Sequence, residues 1–359
     1  MKRFFLSFVL IYFLFSNVPL IHAQQRTEQM EGQIQSIENT TKTIEGNNQL
    51  QKIHKMTIVV TSGQLTNKVI TVEDFASAQA RQFNVGDTVI IGTNKDLNGN
   101  ESYYISDFVR RTPIFLLFLL FVGLVLLIGK KKGFTAIIGL CASILIIYYF
   151  VIPNLLSGTN PILITLAASL FIIPITYYFA HGFDRKTTAA VIGTFICLVV
   201  TILIALFFVE AAKLSGFSSD EASFVKMMKG DINIKGLLLA GVIIGLLGVL
   251  DDITIAQANI VFQLKHAQEK LTSAQLYTRA MIIGKDHIAS MVNTLILVYT
   301  GASLPLLLLF TNNSAPFSEV INYEIVAEEI VRTLISSIGL ILAVPLTTYI
   351  AVIMVRKNQ

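Results

Sequence analysis

From Pro113 onward the chain is a series of apolar runs, each about 20 residues long, separated by more polar stretches. They fall at 113–129, 133–152, 161–180, 189–209, 236–256, 288–310 and 331–354. Lipid offers no hydrogen bonds, so a spanning segment must satisfy its own backbone, as an α-helix does. The runs therefore predict an all-α polytopic bundle of about seven transmembrane helices over residues 113–359. Composition agrees, with 53% hydrophobic and 14% charged residues, a net charge of +4 and a mean hydropathy of +0.67. Such values exclude a single soluble core. The two cysteines, Cys141 and Cys197, both lie inside apolar runs. They read as small packing residues rather than a disulfide or metal pair. No long basic run or nucleic-acid motif is present.

The part before Pro113 differs in kind. Residues 1–23 have a basic start at Lys2 and Arg3, an apolar stretch from Phe4 to Phe15, and small or polar residues to Ala23. This reads as a secretory signal cleaved after Ala23, or as a retained N-terminal anchor. Residues 24–112 are polar and contain five alternating segments, at 32–38, 55–61, 68–73, 87–91 and 102–108. Turn signals at Ser62-Gly63, Val85-Gly86-Asp87 and Asn98-Gly99 separate them. They predict a small exported β-rich domain, OB-like if it closes into a barrel. The stretch Asp96 to Glu101 resembles a calcium loop, but its ligand spacing is incomplete, and a hairpin turn is the simpler reading.

Charge placement sets the orientation. With residues 24–112 outside, the cytosolic loops carry Lys130, Lys131, Lys132, Arg185, Lys186, Lys265, Lys270, Arg279, Lys285, Arg356 and Lys357. The outer loops carry Lys213, Lys226, Lys229 and Lys235, balanced by acids. Cytoplasmic loops collect Lys and Arg, so the C-terminus is expected in the cytoplasm of a plasma-membrane protein.

The stretch Gly241-Val-Ile-Ile-Gly245-Leu-Leu-Gly248-Val-Leu-Asp251-Asp252-Ile-Thr254 sets the chemistry. On a helix Gly241, Gly245, Gly248, Asp252, Ala256, Asn259 and Gln263 share one face. Small residues there let a second helix approach closely, and the polar ones need protein or water. A charge at bilayer depth costs roughly 2.5–3.5 kcal/mol on insertion scales. The apolar stretch from Gly236 to Leu264 exceeds one crossing, so its helix should run into the cytosol or break near Gly248. A second polar row opens the next span, with Lys285, Asp286, His287, Ser290, Asn293 and Thr294. The two spans are antiparallel neighbours, so these faces can meet.

Facing Asp, His, Lys and Asn suit an ion or proton relay. The expected roles are Asp252 as the binding carboxylate and Asp251 as its partner. Asn293, His287, Asp286 and Lys285 are further ion- or proton-binding candidates. Asn259 and Ser290 belong to the polar face, and Gly241, Gly245 and Gly248 to a helix-packing stripe. The structural alternative is that these groups glue helices together or cap them near the headgroups. His181 with Asp184 is a weak metal pair, lacking further ligands nearby in sequence. An intramembrane aspartyl protease would set one acid on each of two facing helices, whereas two adjacent acids point about 100° apart. No G-x-S-x-G, H-E-x-x-H or P-loop is present, and no enzyme, cofactor or metal is expected.

The stretches Gly245 to Ala258, Gly284 to Leu295 and Tyr299 to Leu307 closely resemble the YibE/F-like family of bacterial multipass membrane proteins. The resemblance covers most of residues 113–355 and implies a multipass bundle, with no residue roles to carry over. The glycine-rich, Asp-bearing span is also similar to that of protein-export subunits and proton-driven permeases, although no arginine partner is evident. The leading expectation is a permease-like protein, coupled to ions or protons. Its partners would be the bilayer, small ions or a solute, and a membrane-protein partner or second copy. The other class is a non-transporting scaffold or assembly factor whose β domain binds exported proteins.

Overall fold

The computed structural model describes residues 30–43, 50–75, 82–95, 101–311 and 316–356. The expected signal segment and most of the calcium-like stretch lie outside the described residues. The chain divides into two compact units, one within residues 20–124 and one over residues 125–359.

In the first unit, alternation produces strands β1 (Met30–Thr43), β2 (Leu50–Ser62), β3 (Val69–Phe75), β4 (Thr88–Lys95) and β5 (Glu101–Phe108). They form one antiparallel sheet in the order β3-β2-β1-β4-β5. Successive strand side chains point to opposite faces. Met56, Ile58 and Val60 of β2 therefore bury together with Ile34 of β1 and Val89 and Ile91 of β4. The β1–β2 register shifts between Glu31 and Gly32 and again between Ile34 and Ser36. Such bulges bend a strand and increase its twist, so the sheet curls. Arg111, just past the sheet, makes a bidentate pair with Glu31 of β1 at 2.6 Å on each arm.

The helical elements are α1 (Arg111–Leu156), α2 (Pro161–His181), α3 (Arg185–Ala211), α4 (Asp220–Met228), α5 (Ile234–Ala267), α6 (Ser273–Ala302), α7 (Leu304–Thr311), α8 (Phe317–Val320) and α9 (Glu324–Arg356). Among the described residues, six helices are long and apolar enough to cross a membrane: α1, α2, α3, α5, α6 and α9. The protein is thus a mostly helical, membrane-embedded protein with a small N-terminal sheet. The expected seven runs become six helices because runs 113–129 and 133–152 both fall in α1. That helix bends sharply at Lys130, whose φ of 49° and ψ of −126° are not helical. A Cβ on Gly133 would sit 2.2 Å from the Val125 carbonyl oxygen. In a straight helix those residues would be about 12 Å apart, so the chain doubles back there and needs a glycine.

Capping side chains, rather than the edges of apolar runs, fix where helices begin. Asp184 caps α3 by accepting from the Thr187 N–H at 2.8 Å, four residues ahead of the expected start at 189. Thr272 and Gln275 form a capping box that starts α6 far upstream of residue 288. The expected span 288–310 breaks at Ser303, ahead of Pro305, into the end of α6 and the short α7. Helix α4 falls in a segment expected to be an outer loop.

Helix α5 is the hub. It packs on α2, α3, α6 and α9, and α9 packs on α3 and α6 as well. In its most apolar stretch 61% of residues are buried, against none in α1. Leu246, Leu250, Ile253 and Ala258 of α5 enter a core with Leu198 of α3 and Ala343 and Val344 of α9. At Gly193 of α3 a Cβ would lie 2.5 Å from Thr347 Oγ1 and 3.3 Å from its Cα, so α3 and α9 touch almost backbone to backbone.

Candidate functional site

Helix α5 runs unbroken for 34 residues, with no break at Gly248. Its two faces differ sharply. One carries Leu250, Ile253, Thr254, Gln257 and Val261, all buried. The other carries Gly241, Gly245, Gly248 and Asp252, all exposed. A Cβ at Gly241 or Gly248 would meet nothing within 4 Å, and one at Gly245 only the Tyr299 hydroxyl, at 3.7 Å. Within the described chain, therefore, no helix packs closely on the glycine stripe.

Helix α6 lies antiparallel beside this open face. Tyr299 reaches Gly245 at one end, and Gly284 lies against the Gln257 amide at the other. Between those two contacts stand Gly248 and Asp252 on α5 and Ser290 and Asn293 on α6. Ser290, Asn293 and Thr294 are exposed, as are Lys285 and Asp286, while His287 and Asn259 are half-buried. Thr294 is bonded to its own helix, donating to the Ser290 carbonyl at 3.0 Å. The topology thus brings both polar rows to one side of the bundle, and among the described residues no hydrogen bond joins Asp252 to Asn293 or His287.

The two acids part company, as adjacent residues on a helix must. Asp252 faces the open side, within electrostatic reach of His181 at the end of α2, which also senses Asp184, Lys132 and Lys186. Asp184 itself is occupied as a helix cap, holding both the N–H and the hydroxyl of Thr187. Among the described residues no group of three His, Cys, Asp or Glu could hold a metal ion. Asp251 turns inward instead. Its Oδ1 is shut off from solvent and has no hydrogen-bond partner among the described residues. Beside it the Tyr177 hydroxyl of α2 contacts Thr194 Oγ1 of α3 at 2.7 Å and Thr254 Oγ1 of α5 at 2.8 Å. Those two threonines are 2.9 Å apart. Tyr177 also interacts directly with the Asp251 carboxylate.

A further feature escaped the sequence reading. A cavity of about 460 Å³ opens beside the glycine stripe, lined by Gly241, Gly245, Tyr299, Glu221, Glu328 and Arg332. Arg332 of α9 pairs with Glu328 at 2.6 Å and Glu329 at 2.8 Å. Glu328 is 5% exposed and also accepts from the Ser218 hydroxyl. One turn earlier, Glu324 Oε1 accepts from the Ser215 hydroxyl at 2.7 Å and the Gly216 N–H at 3.0 Å. The first turns of α9 thereby pin the loop that leads into α4, and they hold an arginine where none was expected. The only sequence signal for it is Glu328-Glu329 placed four and three residues before Arg332, a spacing that pairs on a helix.

The other buried polar junction is Gln257, whose Nε2 donates to the Ala280 carbonyl at 3.1 Å and to Thr348 Oγ1 at 2.7 Å. It ties α5 to α6 and α9 and leaves its Oε1 without a donor.

No curated protein and no solved structure matches the chain. The family described as YibE/F-like protein matches residues 117–357, covering the helical bundle and not the β-sheet. With about two thirds of its length matched, the chain belongs to the YibE/F-like family.

Proposed function

We propose that this protein is a plasma-membrane permease driven by a proton or ion gradient, with the open face of α5 as its path. The C-terminus is cytoplasmic, and residues 24–112 form an exported, OB-like domain. One observation carries the reading. The most enclosed spanning helix turns Gly241, Gly245, Gly248 and Asp252 to open space, beside a cavity bounded by a charged pair. A carboxylate at bilayer depth cannot face lipid without a large penalty, so this side of α5 calls for water, solute or protein.

In this scheme Arg332 and Glu328 form the outer end of the path, the glycines leave it room, and Asp252 exchanges the ion or proton near its inner end. His181, Asn293 and His287 are the polar groups placed to assist. The test is flux of candidate ions and protons into vesicles that hold the purified protein. Gradient-driven flux that is lost in Asp252→Asn supports the scheme. Flux that is unchanged in that variant removes Asp252 from the mechanism, and absence of flux for every gradient removes the permease.

A further inference from the structure

The inward-turned acid, half-buried with one shielded oxygen, is chemically the odder of the two. A carboxylate oxygen out of reach of water, with no donor on it, costs far more than a neutral orphan group. Neighbouring groups offer only partial relief. Tyr177 has one hydroxyl proton, and its oxygen already lies within 2.8 Å of two threonine oxygens. Thr194 and Thr254 can each turn their proton away from the cluster. Thr194 reaches the Ala190 carbonyl at 2.9 Å, and Thr254 reaches the Leu250 carbonyl at 2.8 Å. With both protons turned away, the threonine oxygens present lone pairs towards the Tyr177 hydroxyl, beside the carboxylate. Tyr177 and the two threonines are buried to 1% exposure or less and come from three separate helices, α2, α3 and α5.

Oxygen ligands around a single carboxylate have the composition of a small monovalent cation site. One negative charge is too few for a divalent ion, which gathers several carboxylates or waters. We infer that Asp251, with the hydroxyls of Tyr177, Thr194 and Thr254, binds one monovalent cation, a proton or a sodium ion, in the interior of the bundle. When the site is filled, the threonine protons point to their backbone carbonyls and the lone pairs face the cation. When it empties, the protons swing inward and the Tyr177 hydroxyl donates to the carboxylate. Hydroxyl rotation is fast and needs no helix movement. As the coupling site of a permease this proposal rests on the function proposed above, but the binding itself does not require transport.

The groups that act on this carboxylate are Tyr177 from α2 and Asp252 on its own helix, with Thr194 and Thr254 held on the far side of the Tyr177 hydroxyl. His181 at the end of α2 lies within electrostatic reach of Asp252, so the test uses a His181→Gln background. The thermal midpoint of the full-length protein in detergent is followed with sodium chloride against equal choline and potassium chloride, at pH 6 and pH 8. A midpoint that climbs and saturates with sodium alone identifies a sodium site. One that rises at the lower pH without regard to sodium identifies a proton site.

In either case Asp251→Asn abolishes the response. Tyr177→Phe weakens the apparent affinity about tenfold or more, the usual cost of a hydrogen bond to a charged group. Should Asp251→Asn fail to fold, Thr254→Val weakens binding and Thr254→Ser restores it. The inference is overturned if the parent protein responds to neither sodium nor pH, if Asp251→Asn keeps the response, or if Thr254→Val and Thr254→Ser behave alike. Cation binding with no flux in vesicles would leave the site standing and sink the permease. Flux with no binding would do the reverse.

Discussion

Two faces of one helix behave as though they belonged to different proteins. The inward face of α5 is close-packed, with Leu250, Ile253 and Ala258 fully buried. Its few polar groups there, Thr254 and Gln257, are bonded to neighbouring helices. The outward face is lined with glycine and ends in a bare carboxylate. A helix selected only for packing would not keep a face of that kind, because glycine costs about 1 kcal/mol relative to alanine inside a helix. The difference teaches that stability and function are divided by azimuth around α5, with the adjacent acids Asp251 and Asp252 straddling the boundary.

That division can be attacked by substitution, and the effects should fall in a set order. Leu250→Ala empties a fully buried position and should destabilise by about 2–5 kcal/mol, read as a large drop in thermal midpoint in detergent. Gly193→Val forces a side chain into Thr347 and the α9 backbone, for about 1–3 kcal/mol. Tyr177→Phe removes one hydroxyl from the three-helix cluster and should cost about 1 kcal/mol. Gly241→Ala and Gly248→Ala enter open space and should leave the fold unharmed or stabilise it by up to about 1 kcal/mol. Their effect should appear in flux instead, because each narrows the path. If Gly248→Ala destabilised as strongly as Gly193→Val, the open face would be a packed one and the comparison would fail.

Much of this architecture could be read in the sequence, for identifiable reasons. Strands β1 to β5 announced themselves because alternation and turn residues are local signals. The lysines at 130–132 marked the bend in α1 for the same reason. Helix starts were read less well at α3 and α6, since hydropathy senses where lipid lies whereas Asp184 and Thr272 decide where the first turn forms. The polar face of α5 was visible as periodicity, and the exposure of Asp252 follows from it. Whether another helix covered that face was not visible, because coverage depends on how far α6 stands off between Tyr299 and Gly284. The Tyr177–Thr194–Thr254 cluster was out of reach altogether. Its members lie 17 and 60 residues apart in three apolar runs, where a hydroxyl usually bonds to its own helix. Arg332 was overlooked because its meaning comes from the cavity beside α5, a tertiary fact.

The central claim is that the outward stripe of α5 is wet at bilayer depth. Single cysteines at 241, 245, 248 and 252, in a background with Cys141 and Cys197 replaced by serine, test it in intact membranes with a water-soluble, membrane-impermeant thiol reagent applied from either side. The account predicts labelling at all four positions, from one side or the other, and none at Leu203 or Phe207, apolar positions exposed on α3. Labelling absent along the stripe, or equal to that of the α3 positions, would contradict it.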